Sequence, residues 1–460
     1  MKSKKLLSTV FFILLVTGLF AQVIDKKELQ EIRGSFKQDA STKALQNILT
    51  QTPKLRAEAK NWNNEGKVDH FFKYKVKVKA VTDQKSSGRC WMFTSMNELR
   101  PLVKVKYNIS SFDFSHNYLY FWDIFEKSNL FLENAIATAS KDMMDRDVVF
   151  YFKSPVNDGG VWNLFYNAAQ KYGVVPQSVM PETANSNNTS QLNSVLNEKL
   201  RREGYILREA VKSGKNKNAI KEIKVNALKD VYRILALTLG EPPVNFTWRY
   251  KDNKGEVQTI TSTPLEFYKN IIPENFDPQN HIMIMNDPTR SYYKVYDIAN
   301  YRNTYEGLNW VYLNLPIKDI KDAALASLKD NKPMYTSSDV GKQFNRKNGT
   351  LDINNFDYEA LFGVKFNMDK KARILTRQSG SSHAMLLVAC DTDDKDQPIK
   401  WELENSWGSS AGNHGYLTLT DEWFSEYIFR IVIDKKFLNG KAIKALKTKV
   451  INLPAWDYMF

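Results

Sequence analysis

The stretch that decides the fold runs from residue 84 to residue 93 and reads Gln84-Lys85-Ser86-Ser87-Gly88-Arg89-Cys90-Trp91-Met92-Phe93. Before it, residues 72–80 alternate lysine with apolar side chains, a period of two that predicts a strand with one basic face. After it, apolar residues recur at helical spacing from Trp91 to Val103. Cys90 is therefore predicted at the first turn of a helix, where unpaired backbone N–H groups and the helix dipole favour a thiolate.

His383 is the histidine best suited to serve such a thiolate. It stands at the start of an apolar run, residues 384–390, which predicts a strand that would hold an imidazole rigidly. Asn405 follows in the run Asn405-Ser406-Trp407-Gly408, and an asparagine can orient an imidazole by accepting from one ring nitrogen. On its own such a histidine is more often structural, and the glycine-containing run alone predicts a hairpin.

Two further residues fit the same chemistry. Trp407 could shield the contact between imidazole and asparagine from water. Gln84 could aim its side-chain N–H beside the Cys90 sulfur and, with the Cys90 backbone N–H, stabilise an oxyanion at about 3–4 kcal/mol per donor. Each fragment alone is weak evidence, because a buried, inert cysteine is the commoner state of a free thiol. Together they predict a nucleophile with a base, an orienting residue and an oxyanion hole.

In the order Gln84, Cys90, His383 and Asn405, the chain resembles the papain-like cysteine peptidases, and more closely their bleomycin hydrolase and aminopeptidase C branch. Other segments extend the resemblance along nearly the whole chain: Asp158-Gly159-Gly160, Lys171-Tyr172-Gly173-Val174-Val175-Pro176, Glu241-Pro242-Pro243, Asn286-Asp287-Pro288, Thr420-Asp421-Glu422-Trp423-Phe424-Ser425-Glu426-Tyr427 and Leu453-Pro454-Ala455-Trp456-Asp457. The resemblance implies an α+β, papain-like two-lobe fold, a helical lobe plus a β-barrel-like lobe, enlarged by a helical insertion.

The resemblance also implies the roles of the catalytic residues. Cys90 would be the nucleophile of a thiol peptidase, and His383 would be its base and then its acid. Asn405 would orient the imidazole, and Gln84 would belong to the oxyanion hole.

Four residues are the expected substrate contacts: Gly159, Gly160, Trp407 and Phe460. The glycine pair matches the backbone stretch that pairs with substrate in papain-like clefts, although a plain turn is the alternative. In the resembling family the C-terminal arm lies along the cleft, and its carboxylate meets the free amino group of the substrate, which yields an aminopeptidase. Here the arm ends early, in Tyr458-Met459-Phe460, so dipeptidyl-peptidase and endopeptidase action on the same fold stay open as alternatives.

The chain divides into five predicted parts. Residues 1–21 combine a basic start with an apolar run, as in a secretory signal peptide, so we expect export to a periplasm or to the extracellular space. The other parts are 22–176, an N-terminal extension and helical lobe with the nucleophile; 177–330, a mainly helical insertion; 331–447, a β-rich lobe with His383 and Asn405; and 448–460, a C-terminal arm toward the active site.

Composition narrows the class of protein. The 460 residues include 65 Lys and Arg against 51 Asp and Glu, a formal charge of +14, and 43% are hydrophobic. These fractions exclude wholesale disorder and a multi-span membrane protein. Two cysteines, Cys90 and Cys390, exclude a disulfide scaffold and a cysteine-based zinc cluster. Cys390 lies on a predicted apolar strand and is interpreted as a buried small hydrophobic residue. A disulfide between Cys390 and Cys90 would inactivate the enzyme, so none is expected. We expect no metal and no cofactor.

The function predicted from these observations is an exported cysteine aminopeptidase that hydrolyses N-terminal residues from peptides through a thiolate and an acyl-enzyme. Peptides are the expected partners, the resemblance implies a homo-oligomer, a hexamer, and no membrane contact is expected. An alternative of another class is a basic, oligomeric nucleic-acid-binding protein, since lysines cluster at 73–79 and 435–449. No nucleic-acid motif accompanies this charge, which a solvated face also explains.

Overall fold

The computed structural model describes residues 23–78, 81–272 and 280–459. The predicted signal peptide, residues 1–21, and the predicted substrate contact Phe460 lie outside the described residues. The chain divides into two compact units, residues 1–60 and 61–460. No helix among the described residues is both long and apolar enough to cross a membrane.

In the first unit, the described residues form three helices, α1 (Lys26–Ser35), α2 (Ala40–Leu49) and α3 (Leu55–Glu58). Asp25 caps α1 by accepting from the Glu28 N–H, and the Glu28 carboxylate accepts from the Asp25 N–H in return. Asp39 caps α2 by accepting from the Thr42 N–H. These side chains satisfy N–H groups that have no partner inside a helix, and they therefore fix where each helix starts.

The second unit contains thirteen α-helices among its described residues. Two of them are 23 residues long and repeat buried apolar side chains about every four residues, which is the spacing of one helix face. The bounds are α4 (Cys90–Lys106), α5 (His116–Ala137), α6 (Arg146–Lys153), α7 (Trp162–Tyr172), α8 (Ala184–Asn187), α9 (Ser190–Lys212), α10 (Lys217–Leu239), α11 (Pro264–Ile271), α12 (Ile317–Lys329), α13 (Tyr358–Phe362), α14 (Lys370–Leu375), α15 (Asp421–Tyr427) and α16 (Gly440–Ala445).

The described strands form one large mixed sheet and one separate hairpin. Their bounds are β1 (Tyr74–Lys75), β2 (Phe246–Lys251), β3 (Val257–Ser262), β4 (His281–Met285), β5 (Lys294–Ile298), β6 (Trp310–Asn314), β7 (Met334–Ser338), β8 (Phe344–Asn345), β9 (Thr350–Leu351), β10 (His383–Thr392), β11 (Pro398–Glu404), β12 (Tyr416–Thr420), β13 (Ile428–Asp434) and β14 (Ile451–Leu453). The sheet order is β14-β5-β6-β4-β13-β7-β10-β11-β12-β9-β8, with β1 paired to β10, and β2 pairs with β3.

The combination of many helices with one large sheet confirms the predicted α+β class. Within 177–330, the stretch predicted as mainly helical, α8 to α10 fill the first part, whereas β4, β5 and β6 of the second part join the main sheet. These strands are five-residue runs rich in β-branched and aromatic residues, which favour a pleated, buried surface. Of the strand predicted at 72–80, the structure describes residues 72–78, and within these Tyr74–Lys75 form the strand that pairs with β10.

Two apolar cores meet where α4 packs against β10. One core joins α4 to α5, α7, α9 and α10, and it buries Trp91 and Leu200. The other lies between the sheet and α12, and it buries Met385 and Ile431. Helix α4 buries the apolar face that its sequence predicts. The amino end of α4 and the first residues of β10 therefore come together at the junction of the two cores.

The C-terminal arm is held by contacts of its own. Strand β14 runs parallel to β5. Asp457 forms an ion pair with Arg290, which also lies 3.2 Å from Asp287. The hydroxyl of Tyr458 lies 2.7 Å from the Thr289 hydroxyl. Because the side chains of Arg290 and Asp457 are only 10% and 5% exposed, their pairing is weakly screened by water.

We predict that Asp457→Ala lowers the free energy of unfolding by about 2 kcal/mol, because it removes a buried partner of Arg290 while Asp287 remains. Denaturant unfolding measures this change. Asp322→Ala is the matched control, since Asp322 pairs with Lys318 at 2.6 Å on an exposed helix face and its loss should leave stability unchanged. Equal stability of the two variants would contradict the anchoring of the arm by Asp457.

Candidate active site

Cys90 is the first residue of α4, as its sequence context predicts. Its side chain is partly exposed. The Ala384 N–H donates to the sulfur at 3.4 Å, so Sγ lies beside the residue that follows His383. An N–H donor and the positive end of a helix both favour a negative charge on sulfur.

Asp158 fixes the loop that precedes Cys90. Its carboxylate accepts from the Gly88 N–H and from the Thr189 hydroxyl, and its backbone carbonyl accepts from Trp91 Nε1 at 2.8 Å. A side chain at Gly88 would collide with this carboxylate. Asp158 thus connects the nucleophile loop to the segment that contains Gly159 and Gly160.

Gly159 and Gly160 line the same cavity as Cys90. A Cβ atom at Gly160 would lie 2.6 Å from the Trp91 indole, so the backbone can pass this ring only without a side chain. The Gly159 carbonyl accepts from Lys127 Nζ at 2.7 Å. The glycine pair therefore presents backbone beside the nucleophile, where the sequence predicts a substrate contact.

The sheet brings His383 and Asn405 together. His383 is the first residue of β10, and Asn405 comes directly after β11, the antiparallel neighbour, in which Glu404 faces Leu386. His383 Nε2 lies 2.8 Å from Asn405 Oδ1. Because an amide oxygen only accepts, Nε2 has the proton and Nδ1 is the ring nitrogen left to exchange a proton with a thiol.

Trp407 covers this contact. Its ring stacks on the His383 imidazole with centroids 4.6 Å apart and an angle of 26° between the planes. The Ser406 N–H donates to Asn405 Oδ1 at 2.8 Å, which fixes the asparagine amide. The imidazole is therefore held between a hydrogen bond and an aromatic face, as the sequence predicts.

Gln84 is tied to the same segment. Its backbone N–H donates to the Ser406 carbonyl at 2.8 Å, and its Oε1 accepts from the Ser406 hydroxyl at 2.7 Å. Its Nε2 donates to the Ser87 carbonyl. A primary amide has two N–H groups, so one remains for a ligand. Ser406 is a positioning residue that the sequence does not single out, because a serine in a glycine-containing hairpin has no distinctive pattern.

Burial sets the protonation of the two reacting groups. It raises the pKa of the Cys90 thiol to about 11, although the Ala384 N–H opposes this rise. Burial lowers the pKa of His383 to about 4, opposed by the hydrogen bond to Asn405. Among the described residues, no hydrogen bond joins the Cys90 sulfur to the His383 imidazole. Burial thus favours the neutral form of both the thiol and the imidazole.

These residues surround a cavity of about 380 Å³. Gln84, Cys90, Gly159, Gly160 and His383 all line it, whereas Asn405 and Trp407 lie behind the imidazole. Its other lining includes side chains that the sequence prediction missed, on strands or loops distant from the nucleophile: Tyr301, Trp310, Tyr335 and Arg430. Within the described part of the C-terminal arm, residues 448–459, none lines the cavity.

The second cysteine stands apart from this site. Cys390 lies on β10, fully buried in the sheet core, and burial raises the pKa of its thiol. Both cysteines are free. Among the described residues there is no group of three or more metal-ligating side chains. The cavity presents a thiol, an imidazole and an amide side chain.

Comparisons with known proteins show the family of this chain. The sequence matches the Peptidase C1-like family over residues 23–460. It is 39% identical to the bleomycin hydrolase of Mus musculus over 400 residues, 85% of this chain and 88% of that protein. It is 38% identical to an aminopeptidase C of Lactobacillus delbrueckii subsp. lactis over 398 residues, again 85% and 88%.

A solved structure extends the agreement to the fold. The chain superposes on the crystal structure of PepW from Lactobacillus rhamnosis with a TM-score of 0.90 at 35% identity, and the match covers 95% of this chain and 98% of that one. The predicted papain-like fold is therefore confirmed. The chain belongs to the Peptidase C1-like family, and it is a cysteine-type peptidase related to the bleomycin hydrolases and aminopeptidases C.

Proposed function

We propose that the protein is an exported cysteine aminopeptidase that removes N-terminal residues from peptides. The observation that supports this most is the convergence of Cys90, His383 and Gln84 on one cavity, with Asn405 bonded to the imidazole at 2.8 Å. A nucleophile, a base with an orienting partner and an amide donor are the parts that acyl transfer needs.

In the first half of the reaction, the Cys90 proton passes to His383 Nδ1 as Sγ forms a bond to the scissile carbonyl carbon. The electron pair of the C=O bond moves onto oxygen, where the Cys90 backbone N–H and the remaining Gln84 N–H donate to it. The tetrahedral intermediate then breaks its C–N bond, and His383 returns the proton to the departing amine. An acyl-enzyme on Cys90 remains.

In the second half, water attacks the acyl carbon while His383 takes its proton. The S–C bond breaks, the acid product leaves, and the proton returns to sulfur. Asn405 and Trp407 serve both halves, because the imidazole must present Nδ1 to two different groups without turning. The hydrogen bond to Asn405 raises the pKa of His383 and so favours the imidazolium that forms between the steps.

The aminopeptidase assignment rests on the relatives that bear that name. A carboxylate near the cavity would pair with a substrate ammonium and reject chains that continue upstream. Dipeptidyl-peptidase and endopeptidase action are the alternatives. Export rests on the sequence of residues 1–21, and a homohexamer rests on the resemblance alone. Size-exclusion chromatography of the mature protein tests whether it is a homohexamer.

We predict that coumarin amides with a free N-terminus are cleaved at least tenfold faster than their acetylated counterparts under reducing conditions. Cys90→Ala should abolish both reactions, because it removes the attacking atom. Cys390→Ala is the matched control and should retain activity, since Cys390 is buried away from the cavity. Equal cleavage of blocked substrates would establish an endopeptidase. A Cys90→Ala variant that keeps its activity would refute the thiol mechanism.

We also predict that iodoacetamide alkylates Cys90 but not Cys390 in the native protein. Burial raises the pKa of the Cys90 thiol to about 11, so the thiolate fraction grows about tenfold per pH unit below that value. The alkylation rate should therefore keep rising from pH 6 to pH 9, as followed by mass spectrometry. A rate already constant near pH 6 would show instead that a thiolate–imidazolium pair exists before substrate binds.

A further inference from the structure

Arg430 is a buried cation in the wall of the active-site cavity. It lies on β13, it is 3% exposed, and it lines the cavity together with Cys90 and His383. Its Nε–H is buried without a hydrogen-bond partner. No carboxylate among the described residues lies within ion-pairing distance of it. A buried guanidinium without an anion is unusual, because charges leave water only when they gain a partner.

The surroundings of Arg430 hold it in place but do not neutralise it. Its guanidinium stacks on the Trp310 ring at 3.8 Å. The groups that act on its charge are the hydroxyls of Tyr335, Tyr301 and Tyr312 and the thiol of Cys90, none of which is a carboxylate. Burial lowers the pKa of Arg430 from its usual value, as expected for a charge that lacks a counter-ion.

Two further polar groups of the same wall lack partners. Tyr335 and Trp310 are 0% and 1% exposed and line the cavity, and neither the Tyr335 hydroxyl nor Trp310 Nε1 has a hydrogen-bond partner. With Arg430 Nε they make three buried groups that can donate. Unpaired donors on three residues that line one cavity favour an acceptor with two oxygens, and a carboxylate matches the planar fork of arginine.

The position of Arg430 indicates which carboxylate would enter. Gly159 and Gly160, which are partly exposed, also line the cavity, as does Cys90, whose sulfur would be acylated. A peptide whose carbonyl carbon reaches Cys90 would therefore direct a side chain of its acyl part into the same space. The cavity volume of about 380 Å³ is large enough for such a side chain.

We propose that Arg430 is a specificity-determining residue that selects peptides with an aspartate or glutamate side chain in the acyl part, on the amino side of the cleaved bond. The proposal rests on the proposed peptidase function and names its substrate class. Arg430 binds the substrate carboxylate through its guanidinium, and the Tyr335 hydroxyl donates a second hydrogen bond.

The test compares coumarin amides that carry Glu, Gln or Lys, either next to the amide or one residue before it. Gln differs from Glu only in the carboxylate, so the comparison isolates the charge. For the wild-type protein, kcat/KM should be 10–100 times higher for Glu than for Gln at one of the two positions, as for a hydrogen bond to a charged group. Equal values within twofold at both positions would overturn the proposal.

Variants distinguish recognition from a structural role. Arg430→Glu should reverse the preference, so that Lys is cleaved faster than Glu, and Arg430→Met should abolish the preference, so that the kcat/KM values for Glu and Gln come within twofold of each other. Arg346→Met is the matched control. Arg346 is exposed and lies 6.0 Å from the Trp407 ring, so this substitution also removes one positive charge near the site. A uniform loss of rate on all substrates in Arg430→Met would assign Arg430 to thiolate stabilisation and contradict the proposal.

Binding provides a readout that does not depend on turnover. Calorimetry with the Cys90→Ala variant should show at least tenfold tighter binding of a Glu peptide than of its Gln counterpart, and the difference should vanish in Cys90→Ala/Arg430→Met. If the wild-type protein cleaves no peptide but this difference is present, the proposed peptidase function fails while the carboxylate site stands. If peptides are cleaved without this difference, the carboxylate site fails alone.

Discussion

The active site depends on one contact, the approach of the amino end of α4 to the first residues of β10. The Ala384 N–H reaches the Cys90 sulfur at 3.4 Å only because α4 packs against β10 between the two cores. A shift of one residue in the pairing of β10 would turn His383 away from the cavity, since side chains alternate between faces of a sheet. The large buried surface on both sides of this contact therefore fixes the relative positions of the Cys90 sulfur and the His383 imidazole.

A single short segment after β11 performs three tasks at this junction. Asn405 holds the imidazole, Ser406 holds both the backbone and the amide of Gln84, and Trp407 covers the bond between Asn405 and His383. Asn405, the predicted orienting residue, and Gln84, the predicted oxyanion donor, are thus connected through one hairpin. This coupling implies that a substitution at Ser406 acts on catalysis through Gln84 rather than through the nucleophile. Asp158 also performs more than one task, because it connects the nucleophile loop to Gly159 and Gly160.

The sequence predicted the parts of the site whose chemistry is local. Cys90 at a helix start follows from the polar loop and the helical spacing after it, and the pairing of His383 with Asn405 follows from residue type and family resemblance. Arg430 was not predicted because it is a single charge among the apolar residues of 428–433. The direction of its side chain depends on the pairing of β13 with β4 and β7, which no local pattern specifies. Strands β4 to β6 escaped for a similar reason, since five-residue runs join a sheet only through distant partners.

Acyl-enzyme formation tests the central claim most directly. The protein is mixed with a nitrophenyl ester of an amino acid, quenched in acid within the first turnovers, and digested for peptide mass mapping. The account predicts the mass of the acyl group on the peptide that contains Cys90, a longer lifetime of that adduct in His383→Ala, and no adduct in Cys90→Ala. Turnover without any adduct on Cys90, or an adduct that persists in Cys90→Ala, would contradict the account.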